Sequence, residues 1–201
     1  METFNLPNIP LLYDTLPNEL YDSLLRESYQ NLDKKESSYN DQLVGHIKKE
    51  YYLKENVRVM KPYINFLANK LASSMERSHL SPYEGNKFVL ESLLVNFQKK
   101  HEFNPVHIHK GAFSFVIIMK IPYELHEEEE IFDANSDHSS RLGFVYSNTL
   151  GKICYYNMNI CKSDEKKIIM FPAGLNHVVY PFYTSDDYRI TISGNVHGKW
   201  F

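Results

Sequence analysis

The chain has 201 residues, the size of one ordinary domain, and 43% of them are hydrophobic, with 15 Tyr, 12 Phe and 1 Trp available for a core. Twenty-two basic against 25 acidic residues give a net charge of −3, which removes the electrostatic basis for a general nucleic-acid or anionic-membrane binder. Two cysteines, Cys154 and Cys161, are too few for a disulfide framework or a Cys-rich zinc module, so the nine histidines are the residues to place.

The N-terminal residues carry no basic segment followed by an apolar stretch, and no run approaches the roughly 18 apolar residues of a membrane span. A soluble cytoplasmic protein is therefore expected. The arm before the first helix, with Pro7 and Pro10, offers a place for homodimer contacts. Residues 17–32 read as a helix with Leu20, Leu24 and Leu25 on one face. Residues 36–50 are polar and read as a surface connection containing Gly45-His46. Residues 57–80 form a longer helix, its Tyr63, Phe66, Leu67, Leu71 and Met75 recurring at three- and four-residue steps.

Around Ser81-Pro82 the helical period gives way to short strands at 89–97, 113–121, 142–147, 152–160, 167–171, 177–182 and 188–196. The run FSFVIIMKI is apolar nearly throughout, as a strand buried on both faces requires. Asn148-Thr149-Leu150-Gly151 supplies a hairpin turn. Helices first and strands afterwards predict an α+β fold, an antiparallel barrel or jelly roll covered by helices on one side. One domain is expected over 1–201, mainly helical over 1–82 with a β-core over 83–201.

Asn104-Pro105-Val106-His107-Ile108-His109 leads into the apolar strand. Two histidines at i and i+2 on an extended chain project to one side, a two-point clamp for iron, zinc, manganese or copper. The alternative is a polar strand end with two solvated rings. Phe171-Pro172-Ala173-Gly174-Leu175-Asn176-His177 places a third histidine just after a turn, and twelve residues later Arg189 opens the strand Arg189-Ile190-Thr191-Ile192-Ser193. An arginine there faces either solvent or a buried anion, and its planar fork matches a carboxylate in two places. Asn96, eleven residues before His107, offers a carboxamide donor.

In this order, NPVHIHKGAFSFVIIMKIP and FPAGLNHVVYPFYTSDDYRITISGNV resemble the Fe(II)/2-oxoglutarate-dependent dioxygenases, among them phage and bacterial members with an H-x-H segment and an FP-x-x-L-x-H…R-I-S-I-S-x-N ending. The resemblance implies a double-stranded β-helix holding Fe(II) at its open end. It implies His107 as first ligand and His177 as distal ligand. Arg189 would hold the far carboxylate of 2-oxoglutarate, with Thr191 or Ser193 as hydroxyl partner. Asn96 matches a co-substrate-contacting asparagine of the nucleic-acid-dealkylating branch. The implied reaction decarboxylates 2-oxoglutarate to succinate and hydroxylates a C–H bond.

The sequence departs from the usual His-x-Asp/Glu pattern, because position 109 is a histidine. A neutral third ligand leaves more positive charge on the metal; three-histidine iron sites occur in the cupin superfamily. In a second register His109 is the first ligand and Gly111 falls on the carboxylate position, as in halogenases where a halide fills the vacancy. The first register keeps Asn96 aligned and is preferred. A small-molecule or peptide substrate is expected from the mildly acidic charge and a compact site, with no strong nucleic-acid signal.

Two rivals remain. A cupin-like metalloenzyme without 2-oxoglutarate would carry a glutamate shortly after H-x-H, and Lys110-Gly111-Ala112-Phe113-Ser114-Phe115 supplies none. A non-catalytic jelly-roll binding module leaves Arg189 and His177 without a purpose. Neither HExxH nor G-x-S-x-G is present. The run Glu127, Glu128, Glu129 and Glu130 after His126 offers an extra metal site or a substrate-contacting acid cluster, but such a run more often reads as a solvated loop, here with room for a mobile lid, and His138 lies in the same segment. Cys154 and Cys161 fall on opposite faces of a regular strand, against a bond between them. His46, His79, His101 and His197 read as surface or satisfied core residues.

Overall fold

A computed structural model describes residues 8–34, 38, 45–77, 88–131 and 138–198. Strand β1 (Leu12–Thr15) precedes helix α1 (Asn18–Asn31), then come β2 (Glu50–Leu53), helix α2 (Val57–Arg77), β3 (Phe88–Gln98), β4 (Asn104–His107) and β5 (Phe113–Lys120). Helix α3 (Leu125–Glu130) leads to β6 (Leu142–Ser147), β7 (Ile153–Met158), β8 (Lys167–Pro172), β9 (Asn176–Val179) and β10 (Arg189–Gly198). Every strand pair is antiparallel. Six strands form one sheet in the order β1-β8-β5-β10-β3-β2, and four form a second in the order β4-β9-β6-β7. This is the antiparallel jelly roll expected from the order of elements, and the double-stranded β-helix that the family resemblance implies.

β5 sits between β8 and β10 inside the larger sheet, which explains its apolar run: six of its eight residues are buried. Phe113, Phe115, Ile117 and Met119 belong to the core shared with the helices, and Ile118 to the core between the sheets. Each such side chain contributes about 1.5–3 kcal/mol on burial. Helix α2 lies on this sheet through Met60, Ile64, Leu67, Ala68, Leu71 and Met75. Phe66, expected on that stripe, is 55% exposed, because it sits roughly 200° around the helix from both Ile64 and Ala68. Residues 78–80, the expected end of this helix, lie outside the described residues, as do 1–7 with Pro7, 81–87 with Ser81-Pro82, and 132–137.

Two local readings of the sequence are corrected by the structure. Residues 45–50 are not merely a surface connection: Ile47 is 3% exposed and Glu50 is 6% exposed, and Glu50 opens β2, which pairs with β3. The remainder of that connection, 35–37 and 39–44, lies outside the described residues. The acidic run is not simply a solvated loop either. It forms α3, and Glu128 is fully buried, accepting hydrogen bonds from Tyr183 N (2.9 Å), Thr184 N (2.7 Å), Thr184 Oγ1 (2.6 Å) and Ser139 Oγ (2.7 Å). Glu129 pairs with the buried Arg141 at 2.5 Å. The run ties together the chain entering β6 and the loop before β10. Both cysteines are free thiols. Among the described residues no helix is long and apolar enough to cross a membrane.

Candidate metal centre and its cavity

β4 and β9 pair with His107 directly opposite His177, so the smaller sheet itself brings two of the three histidines face to face. β4 ends at His107, and the chain stays tied to the sheet by a hydrogen bond from His109 N to Ala173 O (2.9 Å). The side chain of His109 thereby turns onto the same point. His177 Nε2 lies 3.2 Å from His109 Nε2, and one ligand nitrogen from each of His107, His109 and His177 falls within 4.8 Å of the others.

Two of the rings are oriented by their own backbone. The Nδ1 of His107 is 2.7 Å from Pro105 O, and the Nδ1 of His177 is 2.9 Å from Leu175 O. A carbonyl only accepts, so each Nδ1 carries a proton, and in a metal-binding ring that bond selects the tautomer whose Nε2 presents the lone pair. Burial, and then the neighbouring His107, push His109 down to about 4. His177, 4% exposed, is pushed down to about 3, chiefly by burial and then by His107 and His109, against a rise from its bond to Leu175 O. Both are neutral near pH 7. Three imidazole nitrogens on one side of a pocket suit a divalent transition metal with positions left open, so the donor set fits iron.

The histidines line a cavity of about 180 Å³ between the two sheets. Its apolar wall includes Ile108, Phe115, Val116, Leu142, Phe171 and Val179, and its polar wall includes Glu50, Asn96, Gln98, Asn104, Thr191 and Ser193. Asn96 on β3 faces Thr191 on β10 in register, and Asn96 Nδ2 is directed at Ser193 Oγ at 3.4 Å. The three cavity residues expected from the sequence besides the histidines are thus together. Asn96 Oδ1 and Asn104 Oδ1 are buried with no hydrogen-bond partner.

Arg189 is placed differently. It is 3% exposed and does not line the cavity. Its Nε and NH2 donate to Gln98 Oε1 (3.0 and 2.7 Å), its NH1 to Tyr123 Oη (3.2 Å) and Ser140 O (2.8 Å), and NH2 also to Tyr180 O (2.6 Å). Gln98 stands between the guanidinium and the cavity. Gly111 also lies away from the cavity lining; its φ of +110° and a would-be Cβ only 2.8 Å from Val196 O account for the glycine by backbone geometry.

Sequence reasoning missed Glu50, Gln98, Asn104 and Gly45. Glu50 stands opposite Asn96 in the β2–β3 register, and burial pushes its carboxyl up from 4.5 to about 7. Gly45 leaves room for Asn104: a Cβ there would lie 1.6 Å from Asn104 Oδ1.

Among curated proteins none matches the chain. Solved structures resemble it throughout. A Pseudomonas putida prolyl-4-hydroxylase aligns with a TM-score of 0.59 at 12% identity, covering 96% of this chain and 94% of that one. The α-ketoglutarate-dependent carbocyclase SnoK of nogalamycin biosynthesis aligns with a TM-score of 0.59 at 8% identity, covering 92% and 78%. HygX from Streptomyces hygroscopicus, solved with nickel, 2-oxoglutarate and hygromycin B, gives 0.53 at 8% identity over 96% and 84%. These likenesses establish the fold. A sequence model for the family described as "Putative 2OG-Fe(II) oxygenase" matches residues 92–195, a span holding all three histidines, Asn96 and Arg189 and more than half of the chain. The chain belongs to the 2-oxoglutarate/Fe(II)-dependent oxygenases, enzymes whose metal is Fe(II) and whose co-substrate is 2-oxoglutarate.

Proposed function

We propose that the protein hydroxylates a small-molecule or peptide substrate, with His107, His109 and His177 as the three metal ligands. The observation that carries this reading is the convergence of three imidazoles on one point of a cavity between the sheets. Bound there, Fe(II) with 2-oxoglutarate and dioxygen supplies the oxidation of a C–H bond while the keto acid is decarboxylated to succinate. His109 stands where a carboxylate ligand is usual, so the protein contributes no charge to the metal's ligand set. The backbone bonds to His107 and His177 hold their rings in the ligating tautomer before the metal arrives.

Thr191 and Ser193 line the cavity from β10, alternating with the buried Ile190 and Ile192, and Arg189 precedes them on the same strand behind Gln98. They would hold the far carboxylate of 2-oxoglutarate: the two hydroxyls from the cavity wall, and the guanidinium once Gln98 gives up its fork. Asn96 would contact the same molecule with its carboxamide. Phe115, Val116, Leu142, Phe171 and Val179 keep water from the reacting centre.

Anaerobic addition of Fe(II) and 2-oxoglutarate tests this directly. A weak visible charge-transfer band of the chelated keto acid is expected, absent in His107→Ala and His177→Ala, and needing much more 2-oxoglutarate in Arg189→Ala. Full iron affinity in His109→Ala would refute the three-histidine set, and restoration of the band in that variant by added halide would mean that halide fills the position His109 leaves, as the first register requires. No band in the wild-type protein would refute the oxygenase reading.

A further inference from the structure

Glu50 is the cavity's charged side chain that iron and co-substrate binding leave unused. It is 6% exposed and stands in the cavity wall on β2, on the sheet facing His107 and His177. Among the described lining residues it is the one acidic side chain, and none is a lysine or arginine. The polar atoms beside it share its character. Asn96, its direct partner across the β2–β3 pair, is 6% exposed with Oδ1 buried and unpartnered, and Asn104 Oδ1 is in the same condition. An amide oxygen only accepts hydrogen bonds, and a buried acceptor without a donor costs free energy until one arrives.

A carboxyl and two idle acceptors in one cavity are complementary to a compact cation with several N–H donors. A primary ammonium has three donors and no acceptor. We propose that Glu50, Asn96 Oδ1 and Asn104 Oδ1 bind an ammonium group of the substrate, making the substrate a small primary amine. The raised protonation of Glu50 agrees, since burial is its cause and an ammonium beside the carboxyl offsets the cost of burying it charged. The inference deepens the oxygenase reading, on which it rests for the fate of the amine but not for its binding.

The test titrates the full chain loaded with Zn(II), without 2-oxoglutarate, with n-butylammonium, n-butanol and butyrate, using ligand-observed NMR. The ammonium is expected to bind at least about tenfold more tightly than the alcohol or the acid. Glu50→Gln should weaken the ammonium about ten- to a hundredfold, the weight of one charge-assisted hydrogen bond, while leaving n-butanol and Zn(II) affinity unchanged. Asn96→Leu, which keeps the carboxyl, should weaken the ammonium about tenfold. Equal binding of amine and alcohol overturns the proposal. So does an amine preference that survives Glu50→Gln, which would mean direct ligation of zinc. A Glu50→Gln protein altered in stability alone, with amine selectivity intact, overturns it too, leaving Glu50 as a distant counter-charge to Arg189. The charge-transfer band with Fe(II) and 2-oxoglutarate on the same preparation keeps the two readings apart. A band without amine preference removes only the ammonium site; amine preference without a band removes only the oxygenase.

Discussion

Replacing Glu50 by glutamine isolates the cost of keeping a carboxyl in the cavity wall. Burial raises the group from 4.5 to about 7, so between those values the folded protein holds a proton that the unfolded chain has released. Folding therefore takes up a proton in this window, and stability falls as pH rises through it. At about 1.4 kcal/mol per pH unit, the span from 4.5 to about 7 amounts to roughly 3 kcal/mol of destabilisation, complete above pH 7. Glutamine has the same shape and no proton to lose. In metal-free protein, urea denaturation from pH 4 to 8.5 should show wild type and Glu50→Gln diverging through the window. The variant should end roughly 3 kcal/mol more stable, about 6–12 °C in Tm for a chain of this length. A lost hydrogen bond would shift the whole difference curve without changing its slope. A difference independent of pH, or one in which the wild type gains on the variant as pH rises, would refute the argument.

His177 works in the opposite sense: its folded pKa is depressed to about 3, so its stabilisation is present above about 6.5 and is lost as pH falls. It should cost the metal-free protein about 2 kcal/mol at pH 5, seen in denaturation curves and absent in His177→Phe. Gly45→Ala drives a methyl to 1.6 Å from Asn104 Oδ1; the asparagine must move, with a loss of about 1–3 kcal/mol measurable by thermal melts. Glu128→Gln turns an amide toward the backbone N–H groups of Tyr183 and Thr184. It should cost about 3 kcal/mol and accelerate amide exchange at both residues, read by hydrogen–deuterium exchange.

The parts of the fold that announce themselves in the sequence are those whose pattern repeats. FSFVIIMK reads as a central strand because two buried faces leave no room for alternation. The three histidines were legible because i, i+2 spacing has a geometric meaning and the third sits at a strand start. β2 was not legible: Glu50-Tyr51-Tyr52-Leu53 is too short for a period and follows a polar stretch, so only its pairing with β3 reveals it. Glu50 itself carries no local signal, because its burial is imposed by a partner strand more than forty residues away. Arg189 was expected to meet a buried anion. Its burial was readable from the apolar strand around it, whereas its partners Gln98, Tyr123, Ser140 and Tyr180 come from four separate stretches of chain. The acidic run misled for a related reason: four successive glutamates suggest water, yet one turn of helix selects Glu128 for burial and leaves its neighbours outside.

The position of β2 has an evolutionary consequence. It is the outermost strand of its sheet, paired there with β3 and carrying one further isolated bridge from Tyr51 to Ser38, and it lies before the span 92–195 that marks the family. The metal-binding histidines all fall within that span. The proposed ammonium site draws on both sides of that boundary: Glu50 comes from the strand before the span, Asn96 and Asn104 from within it. Glu50 is the residue of β2 that lines the cavity, whereas Tyr51 and Leu53 belong to the core, so position 50 is where a lineage, or a directed-evolution library, could retune what is oxidised while the oxidising centre stays intact.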